Sequence, residues 1–537
     1  MHESASAPPQ VQRAWPRADA LADTDLTRQS LASSTRSSHT QKAFLAALAG
    51  LTLLAAGLRL YRIDVPSLWV DELFTMDATA RMAQGDWGVR PLAFVPSLIG
   101  LWVQGVDAAA LPIHGYEQWR QMGVTPGAIR LPYALIGIVS VPLLAWASQR
   151  LIGQRAALML ALLLAVSPWH VWMSQTARFY VQQFLFYNLA LVAYLLAVQR
   201  RAHPAWGVMA VCVALAFGTQ PTSLMLMGVF GLEALLARLR GESLGWGRLG
   251  TAALAMAVAA CLGLGLYGFF HTPTRYTEFE GSQQSLLGLL LATPYLADVA
   301  IAALAGLTAI AMATRQPRLC ACLALGGLLP IVTFAALGAL GADVHLRYTF
   351  VGLFCWLMLA AIGLDQLWQA LRPRLGVTLA AAPAGMVLAS LALSNYGYFT
   401  GGCGYRPPWR DTFAYVAAHR QAGEAVAGPA IAHQLARYYL QDPDVVIMRT
   451  GRMLEDLAAT DRPTWVVLQT YSSTGGRIHD WVHQAGRLEA HFTTRILQPY
   501  SAVSVYYYQP GSADDAPLIV AASSDQTAQP HQEPSGP

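Results

Sequence analysis

Eleven apolar runs punctuate the chain between residues 43 and 394, at 43–60, 131–149, 156–173, 180–198, 205–219, 221–237, 249–270, 286–314, 319–340, 348–371 and 376–394. A helix that crosses a bilayer needs about 20 mostly apolar residues, so the pattern predicts an α-helical polytopic membrane protein of about 11 spans, and up to about 13. The run 286–314 is interrupted by Thr293-Pro294 and Asp298 and reads as a short re-entrant piece followed by a true span. Composition agrees. Only 12% of the 537 residues are charged, against about a quarter in a soluble domain. That shortage excludes an ordinary soluble enzyme, a disordered protein and a nucleic-acid binder.

Lys42 is the only lysine, so arginines set the orientation. With a cytoplasmic N-terminus, the short inner loops carry Arg150, Arg155, Arg200, Arg201, Arg238, Arg240, Arg248, Arg315, Arg318, Arg372 and Arg374. The short outer loops carry only Arg178, Arg275 and Arg347. Such an excess of inner arginine is the positive-inside pattern, and it places the chain beyond residue 395 outside. Residues 61–130 then form one long outer loop, in which 91–106 reads as a helix lying at the membrane surface.

Two tails and two working parts follow. Residues 1–41 and 511–537 are rich in small and polar residues and read as disordered. Residues 42–395 form the transmembrane module. In 396–510, strand-like runs at 425–427, 445–448, 465–468 and 503–508 alternate with helical stretches near 410–421, 430–440 and 476–486. That alternation predicts a small extracytoplasmic α/β domain. No Gly-rich phosphate loop is present, so no nucleotide cofactor is expected.

The residues with chemistry gather at the outer ends of the spans. Ser67-Leu68-Trp69-Val70-Asp71-Glu72 follows the first span by about ten residues. Adjacent carboxylates beside lipid are costly unless a cation, a metal or a substrate hydroxyl meets them. Two ordinary acids in a solvated loop would read the same. Ser174-Gln175-Thr176-Ala177-Arg178-Phe179-Tyr180 closes the third span, and Asp343-Val344-His345-Leu346-Arg347-Tyr348 lies at another outer edge. Arg178 and Arg347 suit a phosphate, which a guanidinium grips through its planar fork. Headgroup snorkelling is the competing reading for them. Arg90, before Pro91, adds a third outer cation, and His345 is placed to bind the same phosphate or a sugar. Two carboxylates and three cations at one outward face suit an anionic lipid donor and a neutral acceptor hydroxyl.

The run Arg59–Glu72 (RLYRIDVPSLWVDE) resembles the first outer loop of the GT-C superfamily of glycosyltransferases, in the branch of the protein O-mannosyltransferases and the lipid A aminoarabinose transferase. Arg90-Pro91, Arg130-Leu131-Pro132, the Ser-Gln-x-Ala-Arg-x-Tyr run ending at Tyr180, Arg347-Tyr348 and Trp409–Phe413 are similar to segments of bacterial members. The resemblance extends over residues 43–510. It implies a GT-C fold and transfer of a hexose or pentose from a polyprenyl-phosphate carrier to a lipid, glycan or protein acceptor. It places that reaction on the outer side of a bacterial inner membrane, with inversion at the anomeric carbon. Asp71 would be the catalytic base, with Glu72 beside it. Arg90, Arg178 and Arg347 would hold the phosphate, with Gln175, Tyr180, His345 and Tyr348 lining the substrate site. Some relatives carry a second acid where this chain has Gln175, so a divalent metal is left open. The alternative from another class is a transporter or flippase of lipid-linked sugars.

Overall fold

The computed structural model describes residues 19–86, 91–271, 286–340, 344–400, 405–449, 456–457, 459–469, 486–493 and 502–510. Seventeen helices and five strands are described within them. The helices are α1 (Asp19–Leu60), α2 (Val70–Ala83), α3 (Pro91–Val103), α4 (Tyr116–Trp119), α5 (Pro126–Ile152) and α6 (Gln154–Val166). Next come α7 (Pro168–Ser174), α8 (Tyr180–Arg200), α9 (His203–Thr219), α10 (Met225–Leu239), α11 (Gly247–His271) and α12 (Leu286–Ala297). Then α13 (Val299–Met312), α14 (Pro317–Ala339), α15 (Leu353–Thr400), α16 (Trp409–His419) and α17 (Ala430–Leu440) complete the set. The strands are β1 (Ala425–Pro429), β2 (Val446–Met448), β3 (Thr464–Gln469), β4 (Gly486–Phe492) and β5 (Val503–Tyr508).

Each of the eleven apolar runs is helical over most of its described length. Among the described residues, seven helices are long and apolar enough to cross a membrane, and up to nine spans result if each of two bent pairs counts as one. The chain is a multi-pass membrane protein. The bends have local causes. Between α6 and α7 the axis turns by 60°, where Pro168 starts a helix capped by Ser167. Proline is tolerated at a first helical position but cannot continue the preceding hydrogen-bond ladder. Between α12 and α13 it turns by 103°, at Asp298, whose φ is +83° and whose carboxylate caps Ala300 N–H at 2.9 Å. The interruption read at 286–314 is thus a sharp bend. A further kink inside α15 sits at Gly376, with φ at +77°.

The chain divides into two compact units, residues 1–50 and 51–537. The first carries the start of α1, which is helical from Asp19. Of the N-terminal stretch expected to be disordered, residues 19–41 lie in this helix, while 1–18 and 511–537 lie outside the described residues. Neither Pro nor Gly interrupts residues 19–49, so a helix already nucleated by the span propagates back at little cost.

In the second unit the sheet order is β2-β1-β3-β5-β4. Strand β1 runs parallel to β2 and β3, and β5 runs antiparallel to β3 and β4. All five residues of β1 are buried, as befits a central parallel strand. The helix expected near 476–486 lies outside the described residues except at Gly486, which opens strand β4. The α/β part does not stand alone. Leu73 and Met76 of α2, Trp119 of α4, Tyr133 of α5, Trp409 and Phe413 of α16, and Leu435 of α17 share one apolar core. The segment between α1 and α5 and the α/β part are thereby packed into one body.

Candidate active site

Residues 61–69 form an irregular strap from the end of α1 to the start of α2. Helix α2 opens at Trp69, and its first turn carries both Asp71 and Glu72. Negative side chains are favoured there by the helix dipole and the free N–H groups. Glu72 accepts the Trp69 N–H at 3.1 Å. An indole cannot accept in return, so only the Glu72 half of the reciprocal cap forms.

Glu72 has 0% exposure and both its oxygens are filled. Oε1 accepts from Arg130 Nε at 2.8 Å and from Ala177 N at 2.9 Å. Oε2 accepts from Arg130 Nη2 at 2.7 Å and Arg406 Nη1 at 3.0 Å. Burial alone would raise this carboxyl. Arg130, then Arg406, with hydrogen bonds from Arg130 and Ala177, outweigh it and hold the group below the usual carboxylate range. Arg406 is itself pushed down to about 10 by burial and by Arg130. Its Nη2 reaches Gln175 O and Thr176 Oγ1 at 2.8 and 2.9 Å. Glu72 is the centre of a sealed knot joining α2, α5, the turn before α8 and the segment after α15. Glu72, expected beside Asp71 as a catalytic residue, is thus held inside this knot with its acceptors filled.

Asp71, one residue earlier, faces a different company. Arg347 Nη2 lies 3.0 Å from Asp71 Oδ2, but the contact is not aligned as a hydrogen bond. Among the described residues Oδ2 accepts none. Arg347 Nε donates to Tyr180 Oη at 2.9 Å. Its guanidinium sits 4.4 Å over the Trp69 ring and 5.5 Å from that of Tyr348. Such cation–π contacts orient a guanidinium without neutralising it. Arg178 Nη1 reaches Asp71 O at 3.3 Å and Thr75 Oγ1 at 3.2 Å, while its Nε is buried with no partner among the described residues. His345 stands edge-on to Tyr348 at 5.6 Å. Burial would raise the Asp71 carboxyl, but Arg347, then Arg178 and His345, hold it below the usual range. It is an ionised carboxylate with spare acceptor capacity, ringed by positive charge.

Of the residues picked from the sequence, Asp71, Arg178, Tyr180, His345, Arg347 and Tyr348 converge. Arg90 and Asp343 lie outside the described residues. Gln175, expected to line the substrate site, does not join them. It is fully buried, its amide donates to Arg59 O and Tyr61 O at 3.0 and 2.9 Å, and its carbonyl accepts from Tyr398 at 2.8 Å. Sequence reasoning missed Arg406 and gave Arg130 no role. The only available signal for Arg406 was its place before Pro407-Pro408, just beyond the last apolar run. Among the described residues no three His, Cys, Asp or Glu side chains gather as a metal site would require, and the occupied Gln175 amide supplies no second acid. The described residues do not form a two-carboxylate metal site.

With this geometry in place, comparison with known proteins is informative. The sequence model of the dolichyl-phosphate-mannose-protein mannosyltransferase family matches residues 121–262. That stretch contains Arg130, Arg178 and Tyr180 but neither Asp71 nor Arg347. No curated protein sequence matches the chain. The crystal structure of apo ArnT from Cupriavidus metallidurans superposes with a TM-score of 0.51 at 14% identity, over 87% of this chain and 98% of that one. ArnT from the same organism bound to undecaprenyl phosphate gives 0.52 at 15% identity, over 86% and 98% of the two chains. Likeness at this identity speaks for architecture alone: the chain and ArnT share a fold over most of both chains.

Proposed function

We propose that the chain is a membrane glycosyltransferase that moves a sugar from a polyprenyl-phosphate carrier to an acceptor hydroxyl on the extracytoplasmic side of a bacterial inner membrane. Asp71 acts as general base, and Arg178 and Arg347 hold the carrier phosphate. The observation that carries this reading is the buried Asp71–Arg347 approach of 3.0 Å, beside Arg178, whose guanidinium donates to the Asp71 carbonyl in the first turn of α2. A base for the acceptor and cations for the leaving group stand within one site. The match to the mannosyltransferase family and the shared fold with ArnT, seen with undecaprenyl phosphate, support the same reading.

In the reaction the acceptor oxygen attacks the anomeric carbon as the carbon–oxygen bond to phosphate breaks, and the configuration inverts. The acceptor proton passes to Asp71 Oδ2, the oxygen with free acceptor capacity. The departing phosphate gains charge, and fixed guanidinium groups stabilise it. An incoming phosphate competes with Asp71 for Arg347. As Arg347 turns to the donor, Asp71 loses its largest stabilising charge and becomes a better base.

The test uses purified protein in vesicles, supplied with undecaprenyl-phosphate-linked hexoses or pentoses and a bacterial membrane extract as acceptor. Acceptor-dependent release of undecaprenyl phosphate is expected from the native chain and not from Asp71→Asn. Carrier movement across the bilayer without sugar transfer would replace the transferase by a transporter.

A further inference from the structure

The strap 61–69 contains Ser67, Leu68 and Trp69, which lead directly into the turn bearing Asp71. Its polar groups are satisfied from two sides. From the membrane helices, Arg130 Nη1 reaches Ile63 O and Pro66 O at 3.0 and 2.9 Å, and its Nη2 reaches Ser67 O at 2.8 Å. From the C-terminal part, Arg406 Nη1 donates to Ser67 O at 3.0 Å. Arg410 donates its backbone N–H to Ser67 Oγ at 3.0 Å and its Nη2 to Asp64 O at 2.6 Å. The Leu68 N–H donates to Tyr439 Oη at 2.6 Å. Tyr439 belongs to α17 and stacks on Phe413 of α16 at 5.9 Å. An irregular segment has no ladder of its own, so its position is set by whatever fills its N–H and C=O groups.

We infer that the C-terminal α/β part is a positioning element for the base: Tyr439, with Arg410, fixes the strap and hence the placement of Asp71 against Arg347. This deepens the proposed reaction and rests on Asp71 being its base. Tyr439 touches neither donor nor acceptor. It acts through Leu68, and through Trp69 on the ring that carries Arg347. The part read from the sequence as a separate domain thereby works inside the active site without lining it.

Tyr439→Phe keeps the ring and its stacking and removes only the hydroxyl. Full-length protein in lipid nanodiscs is compared by amide hydrogen exchange and by turnover of whichever undecaprenyl-phosphate-linked sugar proves active. Exchange over residues 61–73 is expected to rise about tenfold, with α5 and α8 unchanged, as one hydrogen bond to an otherwise unpaired N–H is lost. The kcat is expected to fall about five- to tenfold, with the donor KM and undecaprenyl phosphate affinity within about twofold. Ser67→Ala, which removes the acceptor for Arg410 N–H, should give the same split. A merely structural role would move stability and leave kcat alone, so native exchange over 61–73, or faster exchange with unchanged kcat, overturns the inference. Full turnover by Asp71→Asn is a separate result. It removes the base, and with it the reading on which the positioning depends.

Discussion

Asp71 and Glu72 are neighbours in sequence with opposite surroundings. Glu72 is enclosed with every lone pair engaged. Asp71 is 8% exposed and keeps an oxygen without an aligned donor. Successive residues on a helix point about 100° apart, so one faces the packed interior between α2 and α5 and the other faces Arg178, just before α8, and Arg347, after α14. The difference teaches that a two-acid motif can divide its labour: one carboxylate fixes the backbone, the other is left free for chemistry.

The sharpest way to break this contrast is Asp71→Asn. Turnover should fall by about 10²–10⁴-fold, the range that a positioned base supplies, while the protein extracts and unfolds thermally like the native chain. Loss of fold instead would give both acids the same job. Next in size is Glu72→Ala, which leaves Arg130 and Arg406 buried without their carboxylate. It should destabilise by about 3–5 kcal/mol, measured by thermal unfolding in detergent; a fully stable but inactive variant would reverse the assignment.

Arg347→Gln sharpens the comparison through pH. Folding lowers the Asp71 pKa, so its pairing stabilises the protein above the unfolded value and is lost only as pH falls through the lowered one. Removing the charge that lowers it most should shift the acid limb of the rate profile to higher pH. A limb that stays in place would uncouple the two residues. The smallest expected effect is Tyr180→Phe, which costs Arg347 one hydrogen bond. About 1 kcal/mol, or roughly fivefold weaker undecaprenyl phosphate binding by calorimetry, is expected, with no change at Glu72.

Much of this was legible in the residues. The apolar runs are helices because burial of their side chains in lipid or in the bundle requires it. Asp71, Arg178, Tyr180 and Arg347 were readable as a set because charged and polar groups at span ends are too costly to be scattered freely. What escaped was tertiary. Nothing in Val70-Asp71-Glu72 tells which acid faces inward, since that depends on where Arg130 and Arg406 arrive. Gln175 looked like a replaced ligand because its type, not its burial, is written in the sequence. Strand β4 was missed because it lies at the sheet edge with Arg487 and Glu489 ion-paired, and charge is how edge strands avoid further pairing.

The bond between Arg406 and Glu72 joins residues 334 positions apart. Ribosomes deliver chains from the N-terminus, so the acid motif enters the bilayer long before its last guanidinium partner has been translated. Until then Glu72 lacks half of its counter-charge and the strap lacks Arg410 and Tyr439. A nascent or prematurely terminated polypeptide therefore holds the strap from the Arg130 side alone.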